Sequence, residues 1–503
     1  MKRCSLIIRF GALSAGMFLL ASCASTGFLT PNPPGGSESR ESHKSEKFDP
    51  ARYQGSGSAP ETATAAAQSA EATTPAATDT AKPAASAGAA GIADTSAPAT
   101  PQAAQPAAPS AVSGPNYISP CTTVRVALMR ELVSVSLYAV GTYDVVVEGK
   151  GTVFSFKGPL QIKCERNGAA YKAYISQLES KDIALPCTLV ARDPGNVIEV
   201  GDHPYRGSLI FISEHKRSFS VINKLSVEDY LCGVVSLEIG KLPEKDIEAV
   251  KAQAIAARTY AYRKITEKAN DPFDMLATLA DQVYGGTDAE CPVSNRAVKQ
   301  TANKVLVYGD SLVLAYYHST CGGKTANVED VWDKPAAAYL KSIDDCDGQG
   351  VAYCAGSKYF AWDETWSTGD LSQLAAKYSK SVYPKNFCTG TISDIRIFSR
   401  YACGRIQVCD IETNAGKHSY GGDKLRFVLR RNTKDSDILR SANFTLSVMN
   451  PHTVRLHGQG YGHGVGMCQM GAIGRARAGK KYDEILAAYY PGTDMKLVVT
   501  GTN

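Results

Sequence analysis

The chain has almost no charge to spare. Its 54 Lys and Arg are nearly balanced by 49 Asp and Glu, for a formal net charge of +5 over 503 residues. That excess leaves no electrostatic footprint for a nucleic-acid partner. No CxxC pair occurs among the 14 cysteines, so neither a zinc ribbon nor a thioredoxin-like motif is supported. The apolar stretch at the N terminus is too short, and flanked by too many charges (Lys2, Arg3 and Arg9), for a spanning helix. Residues 24–115 lack apolar periodicity, and 56–115 are largely Ala, Pro, Thr, Ser and Gly. Such a segment cannot bury enough apolar surface to offset its ordering and is expected to be a disordered tether, spanning roughly 50 Å as a flexible coil. Length alone suggests two or three domains, but the tether shrinks the folded part.

Residues 1–23 read as a secretory signal: a positive start, an apolar core from Phe10 to Ala21, then Leu20-Ala21-Ser22-Cys23. That ending resembles a bacterial lipobox. It implies a lipoprotein with Cys23 as the acylated first residue, anchored to a membrane without spanning it. The alternative is an ordinary cleaved signal with Cys23 incidental. Cys4 and Cys23 aside, twelve cysteines remain, an even number that permits disulfides in an exported chain without giving their pairing. Cys346/Cys354 and Cys403/Cys409 are close in sequence and are the first pairs expected to bridge.

From Tyr117 the pattern changes. Alternation at 123–128, 133–137 and 143–147, and further short runs at 160–163, 171–175, 197–200 and 209–212, predict a β-rich domain over 116–225. Ser226 to Lys264 then carries two helical patterns. Ser226 can cap the first, with Asp229 in the reciprocal position, and Leu231, Val234 and Val235 form its stripe. Gly240 and Pro243 separate it from a second helix with a narrow small-residue seam at Ile247, Val250, Ala254, Ala257 and Ala261. Glu238 stands at the junction. Half-burial there would raise its pKa and suit it to general acid work, although from spacing alone a solvated helix-end glutamate is the commoner arrangement.

A helix is expected over 295–302, then a strand pair, 305–308 and 312–317. The pair delivers His318, Ser319, Thr320, Cys321, Gly322, Gly323 and Lys324, a set of polar groups suited to an oligosaccharide. A polar turn with satisfied side chains is the plain alternative. The tryptophans, Trp332, Trp362 and Trp366, lie among tyrosines and read first as core. The region at about 340–450 reads as an inserted subdomain. Near the end, residues 457–472 alternate glycines with His463 and Gln469. A dinucleotide-binding motif needs a βαβ unit and an acidic residue on the next strand, and the chain is nearly over, so that reading is rejected. The glycines instead allow close backbone approach, to a ligand or to the Glu238 helix. A closing helix is expected over 482–490.

Five blocks carry a resemblance: EDYLCGVVSLEIG at 228–240, AVKAQAIAARTYAY at 249–262, DQVYGG at 281–286, YYHSTCGGKT at 316–325 and GQGYGHGVGMCQMGA at 458–472. In this order, over about half the chain, they resemble the SpoIID/LytB family. The resemblance implies an α+β chain: the β-rich domain at 116–225, then a mixed α/β catalytic domain over 226–503. It implies a lytic transglycosylase that cuts peptidoglycan glycan strands, with Glu238 as acid/base. Arg258, Gln282, Tyr284, His318, Ser319, Thr320, Lys324, His463 and Gln469 are the residues expected at its cleft. Substrate resembling peptide-stripped glycan would make a wall amidase a natural partner. The LytB branch implies another class of function, a non-catalytic glycan-binding module that enhances an amidase. Cys321 departs from the serine common in the family. It could be a nucleophile activated by His318, or with His318 a ligand pair for zinc completed by other cysteines or histidines. A disulfide is the simpler account, and no cofactor is otherwise expected.

Overall fold

The structure, a computed structural model, describes residues 116–119, 121–167, 170–175, 180–214 and 218–500. The signal, its Cys23 and the expected tether lie outside these residues. Two sheets open the described chain. One runs Thr123–Leu132, Phe219–Ser226, Ser208–Ser213, Cys187–Ala191, Thr142–Val147 and Gly151–Lys157, all antiparallel, with Met275–Leu276 added in parallel beside Thr123–Leu132. The other runs His203–Tyr205, Ile198–Val200, Ser134–Ala139, Leu160–Asn167, Ala170–Tyr174 and Ser180–Ile183. Alternation in Ser134–Ala139 buries Val135, Leu137 and Ala139 on one face. Tyr171 of the second sheet meets Phe211 and Phe219 of the first at ring distances of 5.5 and 4.9 Å. The inner faces therefore close on each other as a sandwich.

Phe219–Ser226 runs directly into helix α1 (Val227–Cys232), and Ser226 Oγ caps it by accepting from the Asp229 N–H at 3.0 Å. Helix α2 (Val235–Ile239) ends at Gly240, whose φ of +91° a side chain would resist. Helix α3 (Ile247–Glu267) is the axis of the fold. The seam expected from the sequence understates it, because Ala249, Ala252, Ala256 and Ile255, off that seam, are also fully buried. Short alanine side chains let neighbours close in from every side. Helix α4 (Pro292–Gln300) begins three residues earlier than expected, since Pro292 suits a first turn that needs no N–H.

Under α3 lies a sheet ordered Tyr117–Ser119, Asp494–Thr500, Lys304–Tyr308 and Ser311–Leu312, its first pair parallel. The observed strand is Ser311–Leu312, so of the expected second strand at 312–317 only Leu312 belongs to it. Tyr317–His318 departs to pair in parallel with Met467–Cys468. After helix α5 (Val328–Val331), residues 361–459 form a unit with its own core. It contains Ala361–Ser367, helix α6 (Thr368–Val382), a three-stranded sheet from Ile392–Arg400, Ile406–Thr413 and Gly416–Gly421, helix α7 (Leu425–Val428) and the strands Phe444–Met449 and Thr453–Gln459. Trp362 and Trp366 are buried in that core with Ile411 and Leu456. Helices α8 (Gln469–Arg477) and α9 (Tyr482–Tyr489) return to the main core.

The two bridges expected from sequence proximity do not form, and the cysteines of the described residues are free thiols. Cys403 packs in the main core and Cys409 in the core of the 361–459 unit. Cys354 turns inward to Cys321, at 3.5 Å between sulfurs, rather than to Cys346. Among the described residues no helix is long and apolar enough to cross a membrane.

Candidate active site

Glu238 sits near the end of α2, partly exposed on the wall of a cavity of about 270 Å³. The Val283 N–H donates to its Oε1 at 3.0 Å, and the Tyr317 hydroxyl also bonds its carboxyl. That hydroxyl accepts from Gln282 Nε2 at 3.0 Å, and Gln282 Oε1 accepts from the Tyr230 hydroxyl at 3.1 Å. A directed line of polar groups, Tyr230 to Gln282 to Tyr317, thus ends on the carboxyl. Burial pushes the Glu238 pKa from 4.5 up to about 7, outweighing the two hydrogen bonds, which pull it down. A carboxyl poised there is half protonated near neutrality and can both give and take a proton.

The cavity is also lined by Tyr260, Asp281, Tyr316, Tyr317, His318, Ser319, Trp332, Tyr461, His463 and Gln469. Its floor is stitched from two distant stretches. The Met467 N–H donates to Tyr316 O at 3.0 Å, Met470 N–H to Ser319 O at 3.0 Å, and Thr320 and Tyr461 exchange backbone bonds of 3.0 and 2.8 Å. Gly466, at φ +70°, makes this possible, since a Cβ there would stand 2.0 Å from Tyr316 O. A Cβ on Gly462, at φ +106°, would stand 2.9 Å from the His318 Cβ. The glycine-rich stretch therefore packs on the strand at 316–319, rather than on the Glu238 helix.

His463 is held at both nitrogens. Its Nδ1 accepts from the Val465 N–H at 3.1 Å, so Nε2 carries the proton and donates to Tyr317 O at 3.0 Å. Burial, with Arg426 and Arg405 assisting against Asp423, pushes its pKa down to about 4. It is a neutral strut, not an acid or base at neutral pH. His318 donates from Nδ1 to Val465 O at 3.2 Å, and burial holds its pKa well below the usual value. Its Nε2 is a buried acceptor without a partner among the described residues. The Trp332 ring packs tilted against His463 at 4.8 Å and edge-on to Tyr316 at 4.9 Å while remaining partly exposed.

The comparisons with known proteins fall on this same framework. The family model described as Stage II sporulation protein matches residues 215–308. Those residues include Glu238, Val283 and Gln282. A model for a domain of unknown function matches 349–466. An uncharacterized protein of Brachyspira hyodysenteriae is 34% identical over 292 residues, 58% of this chain and 72% of that one. The chain belongs to the SpoIID family. The stage II sporulation protein D of Bacillus subtilis is 28% identical over 314 residues, 59% of this chain and 81% of that protein. The amidase enhancer of Bacillus subtilis is 30% identical over 274 residues, 50% of this chain and 38% of that protein.

Within this SpoIID chain, Glu238, His318, Ser319, His463 and Gln469 converge on the cavity. Other residues expected there do not line it. Arg258 is fully buried, its guanidinium on the Glu228 carboxylate at 2.7 and 2.8 Å and on Val298 O at 3.2 Å, so it ties α3 to α1 and α4 and reaches no sugar. Gln282 stands behind Tyr317. Tyr284 is buried between Tyr205 and Tyr230 and donates to Asn223 Oδ1 at 2.9 Å. Thr320 is buried against Ser357 Oγ at 2.9 Å. Lys324 pairs with Asp344 at 3.1 Å. His318 and Cys321 do not share a site: Cys321 faces Cys354 and Asp345, while His318 faces Val465. Tyr317 and Trp332 line the cavity beside Glu238 and were not selected from sequence. Tyr317 lies within the YYHSTCGGKT block at 316–325, and that membership is the signal the sequence offers.

Proposed function

We propose that this SpoIID protein is a lytic transglycosylase of peptidoglycan glycan strands, with Glu238 as its acid/base. The observation that carries this is one carboxyl of pKa about 7 on a cleft wall, held by Val283 and Tyr317. Protonated Glu238 gives its proton to the glycosidic oxygen as the bond to C1 of N-acetylmuramic acid breaks. The carboxylate then takes the proton of that sugar's C6 hydroxyl, which attacks C1 and leaves a 1,6-anhydro end. The attacking hydroxyl is the substrate's own, so a second carboxylate and an ordered water are both dispensable. Trp332 offers an aromatic face to a sugar ring, and His318 Nε2 an acceptor for a hydroxyl. Asp281, the other acid on the cavity, is engaged by Tyr260 at 2.9 Å, the Leu276 N–H at 2.9 Å and Lys264 at 2.9 Å.

The amidase enhancer among the relatives supports a second reading, a glycan-binding module that presents strands to a wall amidase. In either reading the protein works in the cell envelope. Cys23 is the proposed lipid attachment and 24–115 the proposed tether, leading to a β-rich domain at 116–225 and a catalytic domain at 226–503. One experiment separates the readings. The purified chain and its Glu238→Gln variant are incubated with stripped and with peptide-bearing strands, and products are read by mass spectrometry. Anhydro-muramic ends from the unmodified chain alone support the transglycosylase. Intact strands from both, with binding retained, leave the enhancer.

A further inference from the structure

Beneath the cavity floor, four metal-binding side chains from three segments meet. Cys321 follows the cavity residues His318 and Ser319, Asp345 and Cys354 come from the loop after it, and Cys468 immediately precedes Gln469. Their ligand atoms all lie within 4.8 Å of one another. Each residue is at most 1% exposed. Cys321 Sγ is 3.5 Å from Cys354 Sγ and 3.3 Å from Asp345 Oδ2.

We propose that these four residues bind a structural zinc ion, with three thiolates and one carboxylate oxygen as ligands. Sulfurs about 2.3 Å from a common tetrahedral ion stand roughly 3.8 Å apart, so the sulfurs need only settle around it. A disulfide would require them to close to about 2.05 Å, and it would leave a thiol and a carboxylate sealed beside it. The surroundings suit the ion's ligands. The N–H groups of Cys321 and Gly471 each donate to Cys468 Sγ at 3.2 Å, and that of Gly323 to Cys321 Sγ at 3.3 Å. Arg475 Nε holds Asp345 Oδ1 at 3.0 Å, and the Tyr489 hydroxyl lies 2.8 Å from both carboxylate oxygens. Such outer contacts orient ligands and spread their charge. Gly471 leaves room for the carboxylate, since a Cβ there would stand 2.1 Å from Asp345 Oδ2. Zinc takes the three cysteines as thiolates and closes the coordination sphere with no open position, so the ion fastens the floor and takes no part in proton transfer.

The test is metal analysis of the full chain purified under reducing conditions with zinc, then exchange with Co(II). The expected result is one zinc per chain. Co(II) should give thiolate charge-transfer and tetrahedral ligand-field bands. Both signals should fall by at least about tenfold in Cys354→Ser and persist in Cys409→Ser, whose thiol lies in the other core. Intact mass reads the Cys321 and Cys354 thiols on the unmodified chain, so no variant need fold for this measurement. A metal-free chain, or one carrying a Cys321–Cys354 disulfide, overturns the proposal. So does zinc retained in full by Cys354→Ser.

Discussion

Replacing Glu238 by glutamine should make the protein more stable above neutral pH while removing the glycan cleavage proposed for it. The folded chain holds the Glu238 proton with a pKa of about 7, against an ordinary 4.5. At about 1.4 kcal/mol per tenfold change in proton affinity, the ionised form destabilises the fold by at most about 3 kcal/mol. Between pH 4.5 and about 7 the folded chain keeps a proton that the unfolded chain has released. Stability from this group is therefore fully present below 4.5, declines as pH rises, and is flat above about 7. Glutamine keeps the acceptor for the Val283 N–H, carries no charge, and turns the Tyr317 hydroxyl from donor to acceptor. Denaturant unfolding of both chains across this range gives a difference curve, which cancels other titrating groups. The variant should gain up to about 3 kcal/mol over the parent above neutrality and little at the acid end. Glycan cleavage should fall by about 10²–10⁴. A flat difference curve, or a variant less stable at high pH, would refute the view that a desolvated cavity wall tunes this carboxyl.

Other expectations follow from the same geometry. Tyr317→Phe removes a bond that lowers the Glu238 pKa, so the alkaline limb of the pH–rate profile should move upward; an unmoved limb would detach Tyr317 from the acid. Asp281→Asn should change cleavage by less than about tenfold, whereas a loss of about 10²–10⁴ would make it a second catalytic carboxylate and imply a hydrolase. Trp332→Ala should raise KM by about tenfold, equivalent to ~1.4 kcal/mol, with kcat little changed. Arg258→Ala strips the partner from Glu228 and should cost about 3 kcal/mol of stability in urea unfolding; a KM effect at full stability would return it to the cleft.

Glu238 was legible because its surroundings are local: an apolar helical run, a glycine stop and a family motif within a dozen residues. The helices of the 226–264 stretch and most strands of the sandwich followed from periodicity for the same reason. Arg258 was misread because a charged residue in a signature suggests function, while its partner Glu228 belongs to another helix whose approach no periodicity encodes. Tyr317 and Trp332 owe their positions to His463, which bonds the backbone carbonyl of one and packs its ring tilted against the other from far along the chain. The 361–459 unit was visible only as a region of short strands. Its defining pair, Ala361 with Gln459, joins its two ends. The cysteines were counted correctly but paired by proximity in sequence, whereas Cys321 and Cys468 meet through the ladder of Tyr317–His318 against Met467–Cys468.

The parallel pairing of Tyr117–Ser119 with Asp494–Thr500 has a mechanical consequence. Tyr117, Ile118 and Ser119 sit opposite Val498, Val499 and Thr500. A pull along that strand, from the chain ahead of it, loads the three rungs in shear, so they share the force instead of opening in turn. The load then passes through Asp494–Thr500 into Lys304–Tyr308, where the Leu306 N–H is bonded to Thr259 of α3 at 3.0 Å. A pull from the chain ahead of Tyr117 would therefore be passed to the buried helix α3, whose Tyr260 lines the cavity.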